Sequence, residues 1–338
     1  THHLIVDHTS LELLVAEVHC LLEDPASPLP APLPFRDFVA QARRAGSEAE
    51  QRAFFSQELG DLLAPTAPFG LTDIRGNGAD IEQLQSRLPT TLCTALRLQA
   101  RRLDTSAASL FHLAYALMLA QASNQDDVVF GTALFGRLQG GNGADRVMGM
   151  FLNTLPIRLQ RDGRSVVEAT RQTQQQLAQL LQHEHATLAL AQRCSGIEAP
   201  TPLFTALLNY RHAGRPAAST PWQGIQLLES QERTNYPLTL SVDDIAVDGS
   251  FALDVQVARH IGAERVLAML LQAIGSLVQA LETAPNTALP ALVLLPAVER
   301  LQLQRFNATK TDLEGSRTLH RAIAAQARHT PDALAVCD

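Results

Sequence analysis

The chain has 338 residues, 46% of them hydrophobic and 18% charged, enough core material for two lobes or domains and too apolar for a disordered segment. A net charge of −7 with no basic block and no basic-aromatic stripe leaves a nucleic-acid surface without support. Four scattered cysteines (Cys20, Cys93, Cys194 and Cys337) form no CxxC pair, which suits reduced, mostly buried thiols in a cytoplasmic protein better than a disulfide framework or a zinc site. No apolar run reaches the roughly 18 residues of a membrane span. No secretory leader is expected from a start that lacks an initiator Met and a basic n-region. The start on Thr1-His2-His3 reads as a piece of a larger polypeptide.

In chain order, residues 3–6 are apolar enough for a strand end. Residues 9–23 place Leu11, Leu14, Val15, Val18 and Leu22 on one helical face, with Thr9 or Ser10 as the cap. The Pro-rich stretch 24–35 reads as an extended loop. A helix over 47–63 and an irregular stretch over 64–78 follow, and the boundary between two lobes is expected there. Helices are predicted over 90–102, 106–122, 165–183 and 263–282. Strands are predicted over 128–134, 151–159, 205–210, 238–242 and 251–257. Alternating helices and strands imply an α/β layer arrangement. The four-glycine loop 136–145 lacks the spacing of a phosphate cradle. Beyond residue 282 a Pro- and Ala-rich stretch leads to short helices over 297–306 and 319–328, as in a linker entering another domain.

The strongest local signal for chemistry is HHLIVDH at residues 2–8. Adjacent residues of a strand point to opposite sides, so one of His2 and His3 faces a given cavity. A histidine suits a general base because its ordinary pKa leaves much of it neutral at cellular pH. Asp7, past the strand end, can fix the turn by binding backbone or a cation. Zinc would want the histidines at helical spacing with a third ligand, and no GxSxG elbow supports a serine triad. An isolated histidine pair is otherwise an ordinary strand end. Cys194 and Ser195 have no evident base. His183, His185 and His212 read as solvated or loop histidines, and Trp222 as a cover for an apolar patch.

HHLIVDH resembles the HHxxxDG motif of the condensation domains of nonribosomal peptide synthetases, which share the chloramphenicol-acetyltransferase-like two-lobe fold; the resemblance implies an α/β chain with an incomplete first lobe and a second lobe built on a mixed sheet covered by helices. The resemblance continues in family order through LPFRDFVAQAR (33–43), DVVFGTALFGR (127–137), MGMFLNTLPIRL (148–159), HEHATLALAQ (183–192), TPLFTALLNYRH (201–212) and NYPLTLSV (235–242). It implies that His3 is the active-site residue, that His2 packs away from the channel, and that Asp7 organises the loop through a salt bridge. His8 replaces the motif glycine. Asn153 and Arg158 are structural candidates at the site, either in lobe pairing or in satisfying backbone and surface charge. Tyr236, on the acceptor side, is a tunnel candidate or a packing residue, and His8 is a second tunnel candidate.

The segment 299–336, with Phe-Asn-Ala-Thr at 306–309 and TPDALAV at 330–336, resembles the linker and first helix of an adenylation domain, without its ATP-binding motifs. The resemblance implies four parts: a remnant of the first condensation lobe at 1–75, the second lobe at 76–285, a linker at 286–316 and the beginning of an adenylation domain at 317–338. It implies amide-bond formation between a donor acyl or peptidyl thioester and an acceptor aminoacyl thioester. Both are carried on phosphopantetheine arms of upstream and downstream carrier domains, and no cofactor or metal is bound directly. The chain alone, lacking part of the first lobe, is expected to be inactive and to expose apolar surface there. An epimerisation-type or a non-catalytic recruiting member of the superfamily is the alternative, the adenylation-like tail speaking against epimerisation.

Overall fold

The computed structural model describes residues 5–43, 46–76, 78–137, 143, 146–213, 234–245, 247–310 and 318–336, with the backbone alone at His8 and Ala213. They fall into two units, Thr1–Leu295 and Pro296–Asp338. The first unit opens with three helices, α1 (His8–Glu23), α2 (Phe35–Ala42) and α3 (Glu48–Leu59). The cap of α1 is Asp7 rather than Thr9 or Ser10, because its carboxylate accepts the Ser10 N–H at 2.8 Å. Helix α2 was not expected: the extended Pro-rich stretch ends at Pro34, and Phe35 already belongs to a helix. Helix α3 begins on a Ser47/Glu50 capping box and stops at Gly60, short of the predicted residue 63. On α1, Leu14, Val15, Val18 and Leu22 remain exposed.

One six-stranded mixed sheet follows, built from β1 (Ile81–Arg87), β2 (Asp127–Leu134), β3 (Asn153–Gln160), β4 (Ala206–Ala213), β5 (Leu238–Ile245) and β6 (Ser250–Ala258). Its order is β1-β6-β5-β4-β2-β3. The pairs β2/β4 and β4/β5 are parallel and the other three antiparallel. The mixed sheet matches the predicted class, with β1 added at the edge. Its sequence IEQLQSR alternates without a buried face, so its strand character comes from pairing with β6 along its whole length.

Helices α4 (Thr90–Arg102), α5 (Ala107–Ser123), α6 (Val166–Gln182) and α8 (Ala263–Thr283) cover one face. Residues alternating along the strands (Phe130, Leu208, Tyr210, Leu240, Val242, Leu253 and Val255) meet them in the core. Phe111 of α5 packs on Tyr210 and Phe251, and Tyr115 packs on Phe130. By length and composition α8 could cross a membrane, which the sequence reading had excluded. Yet Val266, Leu270, Ile274 and Leu277 lie within 1% of full burial in the core. The opposite face carries Thr239, Ser241, Asn209, Gln256 and Asp254 in register, while α3 lies against β3.

A short helix, α7 (Leu188–Arg193), between α6 and β4 had no periodicity long enough to reveal it. Within the stretch 286–316, expected as a linker, Leu289 is buried and Ala288 bridges Ser165. The second unit holds α9 (Ala297–Phe306) and α10 (Leu319–His329), neither with a buried residue. Cys93 and Cys194 are buried and Cys20 is half-buried, all as free thiols. Trp222 and Cys337 lie outside the described residues.

Candidate active site

The geometry centres on Asp7, four positions after His3 in the sequence. His2 and His3 themselves lie outside the described residues. Asp7 is almost fully buried and forms a salt bridge with Arg137, whose Nη2 stands 2.8 and 3.0 Å from its two carboxylate oxygens. The same nitrogen donates to Ser10 Oγ at 3.0 Å. Ser10 Oγ donates to the Gly149 carbonyl at 2.8 Å and accepts the Gly149 N–H at 2.9 Å, so this hydroxyl uses both of its roles. The Asp7 N–H also reaches the Gly149 carbonyl at 3.3 Å. Arg137 Nη1 donates to the Val147 carbonyl at 2.9 Å, and its guanidinium lies 4.0 Å from the Phe151 ring centre. Burial opposes ionisation of Asp7, but the hydrogen bonds from Ser10 and Arg137 outweigh it and hold the carboxyl below the usual range. The start of α1 is thereby pinned to the loop that feeds β3.

Two glycines make this close approach possible. A Cβ on Gly149 would stand 2.2 Å from the Phe35 ring, and Gly136 has φ +59° with the Phe151 carbonyl where a Cβ would sit. Phe35, Phe38 and Phe151 form one aromatic cluster, with Phe38 4.2 Å and Phe35 5.2 Å from Phe151. His8, at the position of the motif glycine, is the first residue of α1.

The remaining sequence candidates divide. Asn153, two residues after Phe151, sits at the same end of the sheet as the Asp7 cluster. Its Nδ2 donates to the carbonyls of Glu184 and Ala186, each at 2.7 Å, and so holds the turn between α6 and α7. Arg158 lies five residues further along β3, about 16 Å at the usual rise. It is clamped by Asp127, Asp61 and the Glu58 carbonyl, and the Asp127 and Asp61 carboxylates push its pKa up. Tyr236 stacks on Phe204 at 5.8 Å, six residues before Tyr210 in strand register and hence about 20 Å down the sheet from Asn153. Arg158 and Tyr236 are therefore not brought together with Asp7.

Two of the histidines read as solvated or loop residues lie in the turn between α6 and α7 and pack on aromatic rings there. His183 stacks on Phe54 at 4.2 Å, and His185, 12% exposed, meets Phe38 edge-on at 5.4 Å. Burial lowers both imidazole pKa values. His212 is the exception, since it remains exposed. The sequence reading also missed Arg137, Ser10 and Gly149 as a unit. The signal available was Arg137 closing the DVVFGTALFGR segment, since a buried aspartate requires a cation.

Two cavities are large enough for a small ligand. One of about 460 Å³ is bounded by α2, Met150 and the region from His185 to Arg193. The other, about 650 Å³, holds Tyr236, Phe204 and residues 72–75. The first borders the Asp7 cluster, because Met150 adjoins Gly149. Among the described residues no group of three His, Cys, Asp or Glu side chains could hold a metal ion.

The family profile of the Condensation domain matches residues 1–304. The chain is 44% identical to malpibaldin synthetase of Mortierella alpina over 337 residues, which is 99% of this chain and 6% of that protein. It therefore spans a small fraction of that curated relative's length. Among solved structures it resembles the first condensation domain of the CDA synthetase, with a TM-score of 0.68, 21% identity, and coverage of 88% of this chain and 66% of that one. A four-domain nonribosomal peptide synthetase bound to AMP and glycine matches with a TM-score of 0.69 and 17% identity, over 97% of this chain and 26% of that one. The six-stranded mixed sheet, the Asp7 cluster and the profile agree, and the chain belongs to the condensation-domain family of nonribosomal peptide synthetases. The general function of that family is peptide-bond formation, an acyltransferase-type reaction.

Proposed function

We propose that this chain is the part of a peptide synthetase in which an acceptor aminoacyl amine attacks a donor acyl or peptidyl thioester, with His3 at the reacting centre. The observation that carries the reading is the buried Asp7–Arg137 pair with Ser10 and Gly149, which ties the HHLIVDH segment to the loop entering β3. That link sets the Asp7 end of the motif close to the aromatic cluster and the 460 Å³ cavity. Attack forms the N–C bond, the C–S bond then breaks, and the carrier thiol leaves with a proton. His3 takes a proton from the amine or positions it for attack. Holding both substrates as tethered thioesters supplies much of the effective concentration, so positioning is the larger part of the rate.

In this reading residues 1–75 and 76–285 belong to the two condensation lobes, carrier domains deliver the substrates from either side, and the parent synthetase is cytoplasmic. Residues 317–338 begin an adenylation domain. Supporting this, the match to the four-domain synthetase extends over 97% of the chain, against 88% for the isolated condensation domain. In the parent synthetase His3→Ala should reduce dipeptide formation on loaded carriers to background while carrier loading continues. Undiminished product from that variant would remove His3 from the mechanism.

A further inference from the structure

Two surface features have no part in the chemistry at His3: the proline-rich strap between α1 and α2, and the 650 Å³ cleft. In the strap, prolines stand at positions 28, 30, 32 and 34, each with its φ fixed by the ring. Leu29, Ala31 and Leu33 each precede a proline, which keeps them out of the helical region. Residues 28–34 are thereby held near the polyproline II form, as at Pro34 with φ −68° and ψ 127°. Pro28, Leu29, Pro30, Ala31 and Pro32 are all exposed, and among the described residues no hydrogen bond engages the backbone of 28–33. Such a segment is already ordered, so little conformational entropy is lost when it docks. The cleft has the matching chemistry. Its apolar lining includes Tyr236, Ile74, Leu188, Pro200 and Pro202. The Tyr236 ring is fixed by stacking on Phe204 at 5.8 Å and 16°. Burial raises its pKa, so the phenol keeps its proton, and among the described residues that hydroxyl has no hydrogen-bond partner. An aromatic-lined groove that can pack prolines and donate to their free carbonyls is how polyproline II segments are recognised.

We propose that the 650 Å³ cleft docks the proline strap of a second copy of this chain, with Tyr236 on its prolines. The chain's own strap is not the occupant. Its end is fixed where Phe35 meets Phe151, and Tyr236 lies about 20 Å down the sheet from there. Charge favours the same pairing. Glu23 and Asp24 lead into the strap and are exposed. Arg75 is exposed at the cleft and, among the described residues, its guanidinium has no carboxylate partner. The neighbouring Asp73 turns one carboxylate oxygen to the Arg75 N–H at 2.7 Å. The contact joins two different surfaces, so it is heterologous and leaves one strap and one cleft open in each pair.

The test uses the full chain and a fluorescently labelled synthetic peptide of residues 23–36. Anisotropy titration should show saturable binding. The same peptide with Pro30→Gly and Pro32→Gly should bind about tenfold more weakly, having lost both the packed rings and the pre-set backbone. Tyr236→Phe in the chain should weaken the wild-type peptide about fivefold, the share of one hydrogen bond. Arg75→Glu should weaken it too, by an amount that added salt removes. In sedimentation velocity the wild-type chain should gain mass with concentration, and both Arg75→Glu and the Pro30→Gly, Pro32→Gly chain should associate less. Arg75 lies on an exposed loop, so its variant carries the test if the strap variant does not fold. The exposed apolar face of α1 offers another route to association, and neither variant alters it. Undiminished association in Arg75→Glu would place the contact there and overturn the assignment. No saturable binding, equal binding of the glycine peptide, or unchanged affinity in both Tyr236→Phe and Arg75→Glu would overturn it as well. Peptide binding by a chain that stays monomeric at every concentration would give the cleft to a proline-rich segment of another protein, and the second copy would be wrong.

Discussion

At the scale of single residues, Asp7 does three things: it caps α1, pairs with Arg137 and takes its backbone position from Gly149. The side chains of Asp7 and Arg137 are 5% and 13% exposed, so removing the carboxylate leaves a guanidinium with little access to water. Asp7→Ala should therefore lower stability by about 3 kcal/mol, the range for breaking a buried pair. Asp7→Ala combined with Arg137→Met should recover part of the loss, because no unpaired charge remains. Urea unfolding of the three variants measures both, and a loss in the single variant within error of zero would show that the pair is not stabilising. The folded-state pKa of Asp7 lies below its ordinary value, so its contribution is complete above pH 4 and disappears only as pH falls through the folded value. Much of this site was legible in the order of HHLIVDH and MGMFLNTLPIRL. The partner Arg137 was not, because nothing local ties it to a residue 130 positions earlier. The packing of the loop residues His183 and His185 was hidden for a similar reason: their aromatic partners, Phe54 and Phe38, lie on helices far away in sequence.

At the scale of elements, the long amphipathic or wholly apolar segments were readable, and the short or polar ones were not. Helix α5 is apolar all round because it is buried all round, and Ser106 and Asn124 mark its ends. Strand β1 carries too little apolar pattern to announce itself, and α2 is hidden behind five prolines within 25–34. The junction of α2 with the β3 loop depends on one missing side chain. A Cβ at Gly149 would stand 2.2 to 2.6 Å from three carbons of the Phe35 ring, which Phe38 and Phe151 hold in place. Gly149→Ala should cost about 1–3 kcal/mol, the usual range for overpacking. Adding Phe35→Leu should return most of it, since a smaller side chain vacates the space. Wild-type stability in Gly149→Ala would mean that the ring yields freely and that the α2 junction is not tightly fitted.

At the scale of the whole molecule, the core that joins α5 to the sheet contains a histidine with consequences for acid stability. His112 is fully buried, with Nδ1 2.7 Å from the Ala108 carbonyl and Nε2 2.8 Å from Thr132 Oγ1. The carbonyl can only accept, so Nδ1 carries the proton and Nε2 accepts from the threonine hydroxyl. Burial pulls the pKa down to about 4, against an ordinary value of 6.5. Between these values the unfolded chain binds a proton that the folded chain does not, so stability falls as pH is lowered from 6.5 toward 4. At pH 5 the loss relative to pH 8 should be about 2 kcal/mol from this one group. The lowered pKa values of His183 and His185 act in the same direction, whereas Asp7 contributes only at more acidic pH. Replacing His112 with Asn should lower stability at neutral pH, through lost packing, and flatten the slope between pH 7 and 5 by one proton's share. Urea titrations of both proteins at several pH values separate the two effects. An unchanged slope in His112→Asn would show that the imidazole is protonated in the folded core, which requires Thr132 and the α5 backbone to rearrange around a charge.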